Sequence, residues 1–326
     1  MKAAVFHGPG DVRFGEVATP EPGEGEALIR VRACGICGSD LHTYRHGMFR
    51  QLGLPVDEGL ILGHEFSGEV VETRGTIEGL AVGDRVIAAG VGGNAEYYVA
   101  RAPTLPLVLH VPDDVSFEEA ATTEPLATSL HAVNLAEPAD AETIVVLGAG
   151  IIGLGVLQTI RARCSAKTIV VDLSDRRLAL AEKLGAAETV NARRHDAVSR
   201  IGELTDSGQA NVDTVFDCAG VTRDFTGASP LAQALSLVRP NGKVLVVAAF
   251  EKPIEVDFNL VMGKGLHLIG SFAWSPAEFA QALDLLSSGK VDRRPLITHE
   301  FALENASEAY ETQLRADEAV KVLLKP

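Results

Sequence analysis

The sequence predicts an α/β protein of two domains, a mostly β region opening the chain and a doubly wound parallel sheet in its middle. Three observations lead there. At 326 residues the chain exceeds what one hydrophobic core ordinarily accommodates. Up to about residue 127 the apolar runs are short, rich in Val and Ile, and broken by Gly and Pro, as in "EALIRVRACGIC", "LGHEFSGEVVE", "GDRVIAAG" and "GGNAEYYVA". Beyond that point "TIVVLGAG", "KTIVVD", "VDTVFDCAG" and "KVLVVAAF" alternate with helically spaced segments such as "IIGLGVLQTIRARC", "SDRRLALAEKLGA" and "PLAQALSLVRPNG". Continuous apolar strands between amphipathic helices imply a parallel sheet covered on both faces.

The first region reads as a curled antiparallel sheet. The expected domains are residues 1–127 with 271–326, and residues 128–270. The last third holds two helical stretches, "SPAEFAQALDLLSSGKV" and "ENASEAYETQL", then the strand-like "AVKVLLKP". It is too short for a core of its own, so it is expected to rejoin the first domain.

Composition narrows the function. Hydrophobic residues make up 46% and charged residues 22%, an ordinary globular balance. The net charge of −15, with no run of Lys and Arg, repels phosphate backbones and argues against a nucleic-acid partner. Four cysteines at irregular spacing do not form a disulfide framework, which points to a reducing compartment. No signal-like apolar segment follows Met1, and no apolar stretch is long enough to span a bilayer. The expectation is a cytoplasmic protein without a membrane partner.

The strongest local signal lies in "VVLGAGIIGLG", where Gly148, Gly150 and Gly153 give G-x-G-x-x-G after an apolar strand and at the opening of a helix. The first glycine makes the turn, the second admits a pyrophosphate to the backbone, and the third lets helix and strand pack closely. The helix N-terminus then faces the phosphate charge. Asp172 ends the next strand, where a carboxylate accepts hydrogen bonds from the adenosine ribose and repels a 2′-phosphate. That favours NAD over NADP, although Arg176 and Arg177 follow closely enough to reach a phosphate or stack on adenine.

A second constellation is "GICGSDLH" followed by "LGHEFSG". Catalytic zinc sites use three protein ligands and leave a position open. Cys37, His64 and either Glu65 or Glu124 can supply that set, with glycines 35, 38 and 63 suiting sharp turns that aim them inward. Glu124, in "TTEPLATSLHAV", stands just before the dinucleotide domain and is expected to face the cleft there. Each residue also has a plain structural reading. Cys34 and Cys37 form a C-x-x-C redox spacing, though without βαβ context; His64 can be a satisfied buried histidine, and Glu124 a helix cap.

With these motifs in order, the chain resembles the zinc-dependent medium-chain dehydrogenase/reductase family over nearly its whole length, in particular the branch with sorbitol, threonine and butanediol dehydrogenases. "GDRV", "EPLATSLHAV" and "VVDLSDRRLALAEKLGA" extend the match. The resemblance implies a GroES-like catalytic domain and a Rossmann domain. It implies one catalytic zinc per subunit, held by Cys37, His64 and Glu124, with Glu65 near or intermittently on the metal. Liver-type alcohol dehydrogenases carry a cysteine where this chain has Glu124; carboxylate for thiolate keeps the formal charge and leaves zinc a strong Lewis acid. The implied cofactor contacts are Gly148, Gly150, Ile151, Ile152, Gly153, Asp172, Arg177 and Ala219, with NAD as the cofactor.

One departure stands out. The family's lobe of four cysteines for a structural zinc should fall between "GDRV" and "GGNAEYYVA", yet only "IAAGV" separates them. The expectation is no structural zinc.

The implied reaction is hydride transfer between NAD and a secondary alcohol, polyol, cyclitol or amino alcohol. Its proton passes from substrate to Ser39, through the cofactor ribose, to His42 and solvent, with Glu65 the third catalytic residue. Local capping is the plain alternative for Ser39 and His42. Tyr44, Arg45, Phe49, Arg50, Phe272 and Trp274 are the aromatic and basic residues near the presumed pocket, and the two arginines read as parts of a solvated loop. A zinc-free quinone or enoyl reductase, or a non-catalytic cofactor-binding protein, are the competing readings. By likeness to the family, a homodimer or homotetramer is expected.

Overall fold

A computed structural model describes residues 1–47, 59–205, 211–222 and 226–326. Two units emerge, Met1–Pro125 with Pro276–Pro326, and Leu126–Ser275.

In the first unit β1 (Lys2–Gly8) and β2 (Asp11–Glu16) form an antiparallel pair. β3 (Ala27–Gly35) alternates as a half-covered strand should: Ile29, Val31 and Ala33 are buried, Arg30 and Arg32 exposed. A helix the sequence had not suggested follows, α1 (Gly38–His46). It has little apolar periodicity and is defined by its ends. Cys37 is its extended N-cap, Asp40 accepts the Cys37 backbone N–H at 3.0 Å, and Gly47 closes it at φ 60. Short β4 (Leu60–Ile61) adds to β1. β5 (Glu65–Thr73) pairs antiparallel with β3, so that Gly35 stands opposite Glu65. β6 (Arg85–Ala88), β7 (Tyr97–Ala100) and β8 (Leu109–His110) complete this part, followed by short α2 (Phe117–Ala120) and α3 (Thr123–Ala136).

The second unit runs β9 (Thr143–Leu147), α4 (Ile151–Arg163), β10 (Lys167–Asp172), α5 (Asp175–Lys183), β11 (Glu188–Asn191), α6 (Ala197–Leu204), β12 (Val212–Asp217), α7 (Pro230–Leu237), β13 (Val238–Val246), α8 (Phe258–Lys264) and β14 (His267–Gly270). Every pairing is parallel, in the order β11-β10-β9-β12-β13-β14. That is the doubly wound order, in which the chain reverses direction between β9 and β12. Val145, Leu147, Ile169, Val171, Val215 and Val244 fill the sheet's buried interior, explaining the unbroken apolar runs. The segment "PLAQALSLVRPNG" is helical only to Leu237. Val238 already belongs to β13, because Pro240 removes a helical donor and Asn241 sits at φ 58.

The chain then adds α9 (Pro276–Ser287), β15 (Ile297–Ala302), α10 (Ala306–Leu314) and β16 (Lys321–Lys325) to the first unit. Its larger sheet has the order β15-β16-β3-β5-β6-β8, with β7 also on β3. β15 was not foreseen, and it pairs parallel with β16, so the sheet is not wholly antiparallel. The two chain ends share a core of Phe6, Ile36, Tyr44, Tyr310, Val322 and Leu324. Tyr310 is completely buried, and its hydroxyl oxygen accepts the Asn94 amide N–H at 2.9 Å. Tyr310→Phe strands that buried amide, so stability should fall by about 1–3 kcal/mol. The denaturant midpoint measures it, with an unchanged slope.

Candidate active site

Two glycine-bordered turns, one from β3 into α1 and one entering β5, bring the sulfur, the imidazole and a carboxylate together. Donor atoms of Cys37, His64 and Glu65 lie within 4.8 Å of one another, all in the first unit. The glycines serve different needs. Gly63 adopts φ +86, and a Cβ there would strike Asn94 and the Cys34 sulfur. Gly35 sits in a strand instead; a Cβ would fall 2.2 Å from Glu65 Oε2. Gly38 begins α1 with open space beside it, so neither Gly35 nor Gly38 supplies the sharp turn expected of it.

Asp40 was missed in the sequence, although "GSD" placed it one turn into α1. It is 3% exposed, its Oδ2 accepts from the Cys37 N–H, its Oδ1 accepts from the Gly63 N–H at 3.4 Å, and the same oxygen lies 3.6 Å from His64 Nδ1. It therefore ties both turns together and engages Nδ1 of the imidazole, while Nε2 lies 3.4 Å from Ser39 Oγ. Burial raises the Asp40 pKa against the lowering pull of His64. Burial alone would lower the His64 pKa, but Asp40 and Cys37 outweigh it and hold it well above the usual imidazole value. Desolvation, reinforced by Glu65, pushes the Cys37 thiol up, with His64 opposing.

Glu65 is fully buried at the start of β5. Its Oε2 accepts from Lys321 Nζ at 2.6 Å, and the same ammonium donates to the Ile36 carbonyl at 2.8 Å. Lys321 is itself 1% exposed. Burial disfavours its charge, yet Glu65 and Cys37 hold its pKa above the ordinary lysine value. Among the described residues, Glu65 Oε1 is buried without a hydrogen-bond partner. Glu124, in the first turn of α3, lies outside the three-donor group, but its charge acts on Cys37, His64 and Lys321.

Arg293 completes the charged set. It is completely buried, its Nε donates to Thr122 Oγ1 at 3.3 Å, and burial brings its pKa down to about 9 against the pull of Glu65. It stays cationic at neutral pH. The orphaned Glu65 oxygen and the sulfur–imidazole pair fit a divalent metal such as zinc.

Cys34 is a fully buried free thiol pushed well up by burial, and Cys37 is free as well. Cys34 thus lacks the exposed, low-pKa character of a redox cysteine. His42 lies on α1 three residues past Ser39, on the same helical side, and both are half-buried. Tyr44 does not line an open pocket: it is 3% exposed, packs on Tyr310 at 5.1 Å between rings, and donates its hydroxyl to Glu311 at 2.6 Å. Arg45 sits in the last turn of α1, whereas Phe49 and Arg50 lie outside the described residues.

In the second unit the glycine fingerprint behaves as its spacing implies. Gly148 turns at φ +96 against Ala219, Gly150 caps α4, and a Cβ on Gly153 would fall 1.8 Å from the Gly148 carbonyl oxygen. Ile151 and Ile152 open the helix, half-buried. Asp172 accepts the Ala149 N–H at 2.7 Å and the Ser174 N–H at 2.8 Å, which fixes its carboxylate beside the loop. Arg177 Nη1 lies 3.9 Å from where a Gly150 Cβ would stand, while Arg176 is exposed on α5. Phe272 is exposed and Trp274 half-buried in the same unit.

Residues 23–113 match the family described as alcohol dehydrogenase GroES-like domain, and residues 152–288 match zinc-binding dehydrogenase. A sorbitol dehydrogenase of Halalkalibacterium halodurans is 33% identical, the alignment covering 100% of this chain and 99% of that one. A crystal structure of 2R,3R-butanediol dehydrogenase from Bacillus subtilis superposes with a TM-score of 0.85 at 29% identity, covering 100% and 99% of the two chains. A zinc-binding dehydrogenase from Sinorhizobium meliloti, bound to NADP, gives 0.87 at 28% identity, covering 100% and 99%. The chain belongs to the zinc-binding alcohol dehydrogenase family and is an oxidoreductase of CH–OH donors, with a GroES-like and a Rossmann domain.

Replacing Gly35 by Ala drives a methyl into the Glu65 carboxylate. Gly35→Ala should displace the Lys321–Glu65 pair, lower stability by about 3–5 kcal/mol and reduce bound metal. Thermal unfolding and elemental analysis of the purified variant read both effects.

Proposed function

We propose that this member of the zinc-binding dehydrogenase family oxidises a secondary alcohol of a diol or polyol to the ketone, with NAD as hydride acceptor and one zinc per subunit, in the cytoplasm. The observation that carries this reading is the cluster of Cys37, His64 and Glu65 donors with Ser39 Oγ beside His64 Nε2. The names of the sorbitol and butanediol dehydrogenases support the substrate class.

Cys37, His64 and Glu124 would hold the zinc, with Glu65 as a nearby fourth donor. Zinc, when bound, lowers the pKa of the substrate hydroxyl and polarises the carbonyl in the reverse direction. The chain's own residues manage the rest. Asp40 fixes the His64 ring through Nδ1, and Lys321 holds Glu65 by Oε2. Ser39 Oγ accepts the substrate hydroxyl proton as it releases its own, and the His42 ring, further along the same helix, carries the released proton toward solvent. Asp172 disfavours a 2′-phosphate by charge, supporting NAD, while Gly148, Gly150, Ile151, Ile152, Gly153, Arg177 and Ala219 border the phosphate loop.

We also infer a homo-oligomer built on the second unit. Among the described residues nothing pairs with the outer edge of β14, and Leu268 on it, with Phe258 and Met262 on α8, is exposed. A second copy of the same chain would cover this edge.

A panel of diols and polyols, followed by NADH absorbance, tests the activity. The expected result is NAD reduction abolished by a chelator and restored by zinc; no turnover with any alcohol of the class overturns it. Ser39→Ala should lower kcat by about 10²–10⁴-fold with zinc content intact; wild-type turnover removes Ser39 from the relay. Leu268→Glu should shift the sedimenting mass to that of a single chain, while an unchanged oligomer places the interface elsewhere.

A further inference from the structure

Asp217, the last residue of β12, is completely buried, and no step of the proposed reaction uses it. It stands in register with Leu147 of β9 on one side and Val246 of β13 on the other, at the carboxyl edge of the sheet where the chain reverses direction. Open α/β sheets bind their ligands outside that edge. Its Oδ1 accepts two backbone N–H groups, from Ala219 and Gly220, each at 3.1 Å. Its carbonyl accepts two more, from Val247 and Ala248, each at 3.0 Å. One residue thereby fastens the turn after β12 and the turn after β13. The two turns meet at Gly220, whose φ of +66 and missing Cβ let it lie on the Ala249 carbonyl. The turn after β12 meets the glycine fingerprint as well, since a Cβ on Gly148 would fall 3.0 Å from Ala219. Among the described residues Asp217 Oδ2 has no hydrogen-bond partner, and burial raises the carboxyl pKa against the pull of the two N–H groups. A carboxyl group kept in so dry a place, with one oxygen idle, is held there by the two donors on the other.

We propose that Asp217 is a positioning residue for the nicotinamide half of the cofactor. The fold holds a dinucleotide with its two mononucleotide-binding halves on opposite sides of the reversal point. β9, β10 and β11, with the Gly148 turn and Asp172, form the adenine side; β12, β13 and β14 form the other. Asp217 sets the spacing between the Gly148 turn and the turns that end β12 and β13. Without Oδ1, the Ala219 and Gly220 N–H groups lose a buried acceptor and the turn after β12 shifts against Gly148. The adenine side keeps its own supports, the Val171 carbonyl holding the Gly148 N–H at 2.7 Å and Asp172 holding that of Ala149. The inference rests on the dinucleotide reading above and deepens it by separating the two halves.

The test is equilibrium binding to the full chain, parent against Asp217→Ala and Asp217→Asn. Its probes are NADH or NADPH, whichever the parent binds more tightly, followed by fluorescence, and AMP, followed by its displacement of that reduced cofactor. AMP fills the adenine side alone. Asp217→Ala should raise the dissociation constant of the reduced cofactor about 10-fold and leave that of AMP within about twofold of the parent. Asp217→Asn keeps an oxygen where Oδ1 stands, so it should bring the reduced cofactor back to within about threefold of the parent. A merely structural loosening weakens both ligands alike, so equal losses overturn the inference. Parental affinity in Asp217→Ala overturns it too, as does an Asp217→Asn variant no better than Asp217→Ala. Should Asp217→Ala fail to fold, Asp217→Ser, whose hydroxyl is too short to reach both N–H groups, carries the same comparison. A parent that binds neither NADH nor NADPH overturns the dinucleotide reading and this inference with it.

Discussion

The ion pair between Lys321 and Glu65 is the interaction on which the rest of the site depends. Both side chains are essentially out of water, and they join the last strand of the chain to the first residue of β5. In so dry a setting neither charge survives without the other, so breaking the pair costs more than making it gained. The pair also fixes local sequence. Gly35 must lack a Cβ because the Glu65 carboxylate occupies that space, and the Ile36 carbonyl before Cys37 is held by the same ammonium. The turn that carries Cys37 is thus positioned by a residue of the last strand.

Around that pair the site is a problem of charge as much as geometry. Asp40 gathers both turns and the imidazole, and the buried Arg293 and Glu65 attract each other electrostatically. The same fold keeps the chemistry of the two units distinct. The first supplies soft and acidic donors, and the second a glycine turn demanded by close backbone packing.

How much of this was legible in the sequence depends on how local the cause is. The glycine fingerprint could be read because its constraint lies within six residues, Gly153 packing on the Gly148 carbonyl. The parallel sheet was legible because a strand covered on both faces leaves an unbroken apolar run. Cys37 and His64 were legible as residue types on glycine-bordered turns. Lys321 was not, because it meets Glu65 across 256 residues of chain, and neither member advertises the other. Neither Arg293 in "DRRPL" nor Asp40 in "GSD" carries a local pattern that announces its burial. Helix α1 escaped notice because capping at Cys37 and Gly47, not an apolar stripe, defines it, and β15 because its partner strand arrives only later in the chain.

The central claim is that the sulfur of Cys37 and the imidazole of His64 share one divalent cation with a carboxylate beside the Lys321 pair. The most direct measurement is an anomalous difference map from crystals of the full chain, recorded on both sides of the zinc absorption edge. The account predicts a single strong peak per chain that vanishes below the edge and is bonded to Cys37 Sγ and His64 Nε2. A map without that peak, or with the metal bound elsewhere and Cys37 and His64 facing apart, would contradict it.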